Sequence, residues 1–560
     1  MILGIDVGGT HTDSVLMQNR TIIRKAKVLT DRSNILGCVL RATHAVAEPG
    51  DLKQLKRVVL STTMSTNAVA QNQLDPVGLI VMNGPGVSPK DLPLADRTII
   101  TSGYMNHRGI EAEPLDEDEL DAINAAFDRQ KLGNVAIVGK FSSRNPAHEK
   151  SVEARFAGKA THISLGHQLS GQLNFPRRIA TTYLNEAIWN LHSRLVGQLS
   201  GYLKELGADV PLYILKADGG TIGVQQSRNS PVQTILSGPA ATIMGVLPFV
   251  PTDVDSVSID VGGTTTDIAL YADGAPLLEP QGVEIEGHKT LIRGLLTHSM
   301  GLGGDSQIQV VDGKLQIGPE RKGNAMAFDG SMPTPTDAMI VLGRASFGDR
   351  EKAFRAMESV GQQLGTSAER AATAVMAQMC EAIAGKVRAM VEEINSKPVY
   401  TIHELLEGKQ VAPRQLIVVG GPAPYLASQV GELLGLPAVV PDDFDVINAS
   451  GAAMARTTVE LNLVADTGSQ RMSIAEEGRQ MEISRHFTAD DVIAVGRKEL
   501  LRIAKVAGAR DEDMEIEVTD SQSFNVVRGF ATIGKNIRVR LQIKPGLIKH
   551  ESAQEQGAPE

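Results

Sequence analysis

The chain has 560 residues, 42% hydrophobic and 21% charged, which is ordinary for a globular protein long enough to build several cores. A formal net charge of −10 leaves no basic surface for nucleic acid or an anionic membrane, so neither is an expected partner. Two distant cysteines, Cys38 and Cys380, exclude a disulfide framework, a zinc finger and an iron–sulfur cluster, and are read as buried small hydrophobes.

The first element is a strand, Ile2 to Val7, that runs into Gly8-Gly9-Thr10-His11-Thr12-Asp13 and then a second strand. Apolar strands at Val58–Leu60, Val77–Val81 and Val135–Val138 follow, and Asp116 to Glu119 open a helix. A single helix is expected from Thr181 to about Leu206, stopped by Gly207, and then a strand from Tyr213 ending at Gly219-Gly220. Next the opening motif comes back: Ile259-Asp260-Val261-Gly262-Gly263-Thr264-Thr265-Thr266-Asp267 differs from Ile5–Asp13 only where Thr265 replaces His11. A long amphipathic helix with a capping box at Thr366 and Glu369 carries Val375, Met379, Ile383, Val387, Met390 and Ile394 at three- and four-residue spacing. Strands with period two at 481–484, 513–518 and 537–543 mark a small α+β C-terminal domain, and 547–560 read as a tail. No apolar run approaches the roughly 18 residues of a membrane helix. The chain opens on a strand without a basic and then apolar leader, so a reducing cytoplasm is expected.

The repeated nonapeptide carries chemistry beyond a tight turn. Adjacent glycines let the backbone take φ > 0 and let an anion approach the N–H groups. The hydroxyls of Thr10 and Thr12, and of Thr264, Thr265 and Thr266, add donors to the same concavity. A turn requirement fixes glycines, but it does not fix the carboxylates and hydroxyls that both copies share. Asp6 and Asp260, each closing a buried strand, are natural partners for Mg²⁺ held through water. The histidines are scattered over His107, His162, His167, His288 and His298 with no helical pair. His298 with Asp305 is the best transition-metal candidate among them.

Paired hairpins of this kind resemble the two phosphate loops of the actin, Hsp70 and sugar-kinase superfamily, whose ribonuclease H-like domains clamp ATP between them. Gly301-Leu302-Gly303-Gly304-Asp305-Ser306 is similar to the glycine turn after the second loop, and Leu416–Val419 running into Gly420-Gly421 is similar to the adenosine motif. Within that superfamily the chain resembles the hydantoinase A/5-oxoprolinase family over residues 1 to about 460. The similar segments include Thr62-Thr63 with Thr66-Asn67-Ala68, Asn145-Pro146-Ala147-His148-Glu149, Arg177–Asn185, Ser237-Gly238-Pro239-Ala240, Ile317-Gly318-Pro319-Glu320 and Pro333–Ala338. Leu60-Ser61 stands where many members have His-Gly.

The resemblance implies an α/β, two-lobed actin/Hsp70-like fold with an additional small α+β domain: lobes at 1–170 and 171–460, and the C-terminal domain at 461–560. It implies ATP and Mg²⁺, with phosphates on Gly8, Gly9, Thr10, His11 and Thr12 and on Gly262, Gly263, Thr264 and Thr265, and with Gly303, Gly304, Gly420 and Gly421 against the rest of the nucleotide. Asp6 and Asp260 are then the catalytic, metal-holding pair, and Thr62, Thr63 and Asn67 face the substrate. The implied activity is ATP-dependent hydrolysis of a cyclic amide such as a hydantoin or 5-oxoproline, through phosphorylation of its carbonyl. Ketone carboxylation and a small-molecule kinase of the same fold are the alternatives. A B-type second subunit and an oligomeric assembly are the expected protein partners.

Overall fold

A computed structural model describes residues 1–31, 33–205, 210–279, 281–396 and 410–549. Two of its sheets share one plan. In the first, Ile2–Val7 pairs antiparallel with His11–Gln18, which pairs with Thr21–Leu29; on its other side it pairs parallel with Arg57–Thr62 and, through that strand, with Leu212–Leu215. In the second, Ser256–Val261 pairs antiparallel with Thr266–Ala272, which pairs with Ala275–Pro276, and parallel with Gln415–Val419 and then Ala438–Val439. The same order and the same senses twice make this a duplicated α/β fold, with the repeated nonapeptide as the first hairpin of each copy.

The first sheet does not stop at residue 170, since Leu212–Leu215 and Thr221–Gly223 complete its edge. Parallel pairing needs a long crossover, and here the crossover carries a second sheet of four strands, His162–Leu165, Asn134–Gly139, Val77–Met82 and Thr98–Ile100. The predicted helix from Thr181 is in fact two. Phe175–Ala187 starts on an Asn174 cap, Ile188 leaves the helical region at φ −109° and ψ 2°, and Trp189–Glu205 follows. No proline or glycine marks that break. Tertiary contacts fix it, with Trp189 stacked on His162 and Asn190 donating to Asp75 and Asn134. The predicted stop at Gly207 lies outside the described residues.

The long helix is present as Ala368–Ser396, with Val375, Met379, Ile383, Val387 and Met390 buried on one face. Its cap is Ser367, whose Oγ accepts from the Arg370 N–H at 3.3 Å, one residue later than the predicted box. Cys38 and Cys380 are buried and free, as expected.

Two short helices, Ser237–Val246 and Ile447–Met454, fill the space between the duplicated sheets. They touch backbone to backbone: a Cβ on Gly245 would lie 2.1 Å from the Ile447 carbonyl oxygen, and one on Gly451 2.0 Å from that of Ala241. The second helix also presses on the first sheet, where a Cβ on Gly4 would meet the Ala449 oxygen at 2.2 Å. Side chains at these three points would force the sheets apart.

The C-terminal domain is α+β. Its five antiparallel strands run Arg479–Glu482, Arg471–Ile474, Glu460–Asp466, Ala531–Ile543 and Ile516–Arg528, and helix Ala489–Val506 buries Val492, Leu500 and Ala504 against them. The last two strands, 13 residues each, form a hairpin longer than the period-two segments predicted. The alternation is plain only where one face is covered, and much of Ser521–Arg528 is exposed. Among the described residues no helix is long and apolar enough to cross a membrane.

Candidate active site

The two Gly-Gly turns close in the same way. Gly8 N–H donates to the His11 carbonyl at 3.0 Å, and Gly262 N–H donates to the Thr265 carbonyl at 2.9 Å. Strand alternation then decides which hydroxyls reach the cleft. Thr10 and Thr264 face outward, whereas Thr12 is fully buried with its Oγ1 2.9 Å from that of Thr30. Thr266 likewise turns inward and donates to the Leu302 carbonyl at 2.6 Å. Thr12, expected among the phosphate donors, therefore supports the turn from behind.

Arg321 joins the two loops. Its Nη1 lies 3.1 Å from Thr10 Oγ1 and 3.3 Å from Thr264 Oγ1, while its Nη2 pairs with Asp305 at 2.9 Å. One guanidinium thus spans both repeats. His11 stands nearby, its pKa lowered by burial and then by the Lys27 and Arg321 charges. Sequence reading missed Arg321, which directly follows the family-like Gly318-Pro319-Glu320 segment and carries no signal of its own.

Behind the loops lie the carboxylates. Asp6 is opposite Asp13, and Asp260 is opposite Asp267, each pair facing across its hairpin. Asp6 is 3% exposed, and its Oδ1 has no hydrogen-bond partner among the described residues. Burial, together with the like charges of Asp13 and Asp260, raises its pKa to about 7 against hydrogen bonds from Ser61 and Asn448. Asp260 is also raised, chiefly by burial, with the Thr242 hydroxyl 2.6 Å from its Oδ2. Asp267 is pushed to about 6 by burial and by Asp260. Asp13 is raised by burial as well, although the Lys27 ammonium lies 2.8 Å from both of its oxygens. Thr242 and Asn448 come from the two central helices, so the helix crossing that joins the sheets also equips the carboxylates.

The other sequence candidates gather at the same place. Gly304 and Asp305 donate backbone N–H groups to the Gly262 and Gly263 carbonyls at 2.9 and 2.7 Å, laying the Gly303-Gly304 turn on the second loop. Gly420 takes φ +89°, and a Cβ there would strike Val261 O at 2.3 Å and Asp260 Oδ1 at 2.7 Å. Gly421 has open space around it. Thr63 Oγ1 donates to the Val7 carbonyl at 3.2 Å and receives Asn67 Nδ2 at 3.4 Å. Ser237 Oγ donates to the Thr62 carbonyl at 2.9 Å. The expected substrate residues therefore border the first loop.

The transition-metal candidate is not assembled. Asp305 is paired with Arg321, and His298 faces Glu393 at 3.7 Å. Among the described residues no group of three or more His, Cys, Asp or Glu could hold a metal ion. His162 and His167 are spent on Glu186 at 2.7 Å and Glu149 at 2.5 Å.

A model of the hydantoinase/oxoprolinase N-terminal region matches residues 2–157, and the hydantoinase/oxoprolinase model matches residues 178–461. The chain belongs to the hydantoinase/oxoprolinase family. The two matched regions contain the first and the second Gly-Gly hairpin respectively. Caprolactamase subunit alpha of Pseudomonas jessenii is 27% identical over 420 residues, 67% of this chain and 60% of that subunit. The 5-oxoprolinase of Saccharomyces cerevisiae is 26% identical over 81% of this chain but only 41% of its own length. This hydantoinase/oxoprolinase chain thus spans three-fifths or less of those two relatives. An acetone carboxylase structure, nucleotide-free, superposes with a TM-score of 0.73 over 98% of this chain and 88% of the other, at 18% identity, a likeness of fold.

Proposed function

We propose that the chain binds Mg·ATP between its two Gly-Gly turns and phosphorylates the carbonyl oxygen of a cyclic amide, the activating half of an ATP-dependent ring opening. The observation that carries this is the Arg321 guanidinium, held by Asp305 and touching the turn threonines of both repeats. A cation poised over two glycine turns is the arrangement that stabilises charge on a transferring phosphoryl group.

Mg²⁺ fits the residues present. The orphaned Asp6 Oδ1 is a buried oxygen in want of a cation, and the raised pKa values of Asp6 and Asp260 express the cost of two carboxylates without one. Asp6 and Asp260 would hold the ion through water, where it neutralises phosphate charge. Gly8 and Gly262 hold each turn in the shape that presents N–H groups, and Thr10, Thr264 and Arg321 line the mouth between them. In the reaction the amide oxygen forms a bond to the γ-phosphorus as the bond to the β,γ-bridging oxygen breaks and ADP leaves. Water then attacks the activated carbon, the ring nitrogen takes a proton as the C–N bond opens to leave an acyl phosphate, and a second water releases phosphate and the free carboxylate. The names of the caprolactamase and 5-oxoprolinase relatives support a lactam as the substrate class. Two relatives are themselves named as subunits, caprolactamase subunit alpha and the acetophenone carboxylase gamma subunit of Aromatoleum aromaticum, which supports a second subunit for the hydrolytic half.

The test is to incubate the chain with Mg·ATP and 5-oxoproline, hydantoins or simple lactams, with and without a candidate partner subunit. ADP and ring-opened product should rise together. ADP formation indifferent to every cyclic amide, yet stimulated by a ketone with bicarbonate, would replace this reading with carboxylation.

A further inference from the structure

The Asn145–Glu149 segment, prominent in the sequence, takes no part in the nucleotide cleft. It builds the junction between the N-terminal half and the C-terminal sheet. Asn145 Nδ2 donates to the Gly109 carbonyl at 2.9 Å, Gln480 Nε2 donates to the Arg144 carbonyl at 2.8 Å, and Glu149 accepts from Gly139 N–H at 2.8 Å. These bonds fix the loop carrying Arg144 against a cavity of about 30 Å³ lined by Arg108, Arg144, Asp466, Arg471, Ser473 and Gln480, among others.

Arg144 is 8% exposed, and its side chain makes no hydrogen bond to any described residue, the Nε being fully enclosed. The other buried arginines differ in kind. Arg178 donates to the Gln172, Gly139 and Lys140 carbonyls, Arg57 to Thr221 and the Ala455 carbonyl, and Arg456 to Glu515 and the Lys544 carbonyl. Those three hold the fold together, while Arg144 has no such bond and only the Asp466 charge offsets it, through space. Arg538 adds a second positive charge beside it, also with an enclosed and unpartnered Nε. The one acid on the wall, Asp466, is engaged elsewhere: Arg108 donates to it at 3.0 and 3.2 Å, and the Gly468 and Ser469 N–H groups at 2.9 and 3.1 Å. Arg471, on the exposed rim, stands opposite Glu482 in the strand register without an ion pair to it.

We propose that this junction is a binding site for a small carboxylate-bearing molecule, with the Arg144 guanidinium as its buried anchor and Arg108 and Arg471 at its mouth. Burying a guanidinium without a partner is unfavourable, and a carboxylate accepting two parallel N–H bonds is the group whose shape repays it. The space holds about two waters, the footprint of one carboxylate. The site lies apart from the nucleotide turns and does not depend on the reaction proposed for them.

The experiment is thermal denaturation and calorimetric titration of the full chain with formate, acetate and malonate, with phosphate as comparison, at constant ionic strength. Carboxylates should raise the melting temperature saturably and more than phosphate does. Arg144→Met should weaken that binding by about tenfold or more while leaving the melting temperature in carboxylate-free buffer unchanged or higher, because a buried guanidinium without a hydrogen-bond partner has been removed. Arg471→Gln, on the rim and without risk to the fold, should weaken it by about two- to fivefold. Absence of a saturable carboxylate response in the parent overturns the proposal, as does an undiminished response in Arg144→Met or a response confined to phosphate. If Arg144→Met does not fold, an Arg471→Gln response equal to the parent's overturns it.

Discussion

The two copies of the Gly-Gly hairpin have nearly the same backbone and different electrostatics. In the first, Asp6 has an oxygen without a partner while its neighbour Asp13 is neutralised by Lys27. In the second, Asp260 is bonded by Thr242, and Asp267 has Ser299 but no cation close by. The turns are supported from behind by different means too, Thr12 on Thr30 in one and Thr266 on the Leu302 carbonyl in the other. Duplication preserved the cradle and divided the chemistry: the first copy offers an unsatisfied carboxylate, and the second offers one already placed by the scaffold.

The largest effect expected from that division falls on Asp6. Asp6→Asn should lower ATP turnover by about 100-fold and Asp260→Asn by less, about tenfold, with both variants folded. Equal losses would erase the asymmetry, and a reversed order would assign the cation to the second copy. Arg321→Ala, which removes the group common to both copies, should weaken binding of a non-hydrolysable ATP analogue by about tenfold. An unchanged affinity would show that Arg321 takes no part in holding the nucleotide.

Acidity gives a further measure. Asp6 titrates near 7 in the folded chain against 3.8 for the free side chain, so between those values the folded state binds the extra proton. Ligand-free stability should therefore fall as pH rises from about 4 to 7, by roughly 1–3 kcal/mol from this group, and stay low above 7. Asp6→Asn should flatten that slope and be more stable than the parent at pH 8, as read by chemical denaturation. A parent whose stability rises over that window, with Asp6→Asn tracking it, would remove the charge conflict from the first copy. The smallest effect separates the threonines. Thr12→Val should cost about 1 kcal/mol of stability with nucleotide affinity kept, whereas Thr10→Val should do the opposite.

Much of this site was legible in the sequence because the repeat is local and each copy carries its own turn chemistry. Gly303-Gly304 and Gly420 were legible for the same reason, since glycine is required where backbones nearly touch. Arg321 was not, because its neighbours Thr10 and Thr264 are far from it in the chain and a lone arginine has no pattern. Thr12 was misplaced although strand alternation predicts its inward turn; the hydroxyl was counted and its direction was not. The edge strands at 212–223 escaped assignment to the first sheet because parallel pairing leaves no short-range trace. Residues 547–549, read as the start of the tail, are instead held in place, Leu547 bridging to Ala455 and Ile548 N–H donating to the Met454 carbonyl at 2.8 Å, while the rest of the tail lies outside the described residues.

The crossing of helices Ser237–Val246 and Ile447–Met454 sets what motion the molecule can use. Carbonyl oxygens sit where Gly245 and Gly451 lack a Cβ, so the two halves have no clearance to slide past one another at that point. Rotation about the crossing is the movement the contact permits, which makes the glycine pair a fulcrum. Thr242 and Asn448 ride on those same helices beside Asp260 and Asp6, close to the axis. The turn threonines lie beyond those carboxylates, at the tip of each hairpin. A small angular change would therefore spread Thr10 from Thr264 while hardly disturbing the carboxylates, separating the grip on a ligand from the placement of its charge.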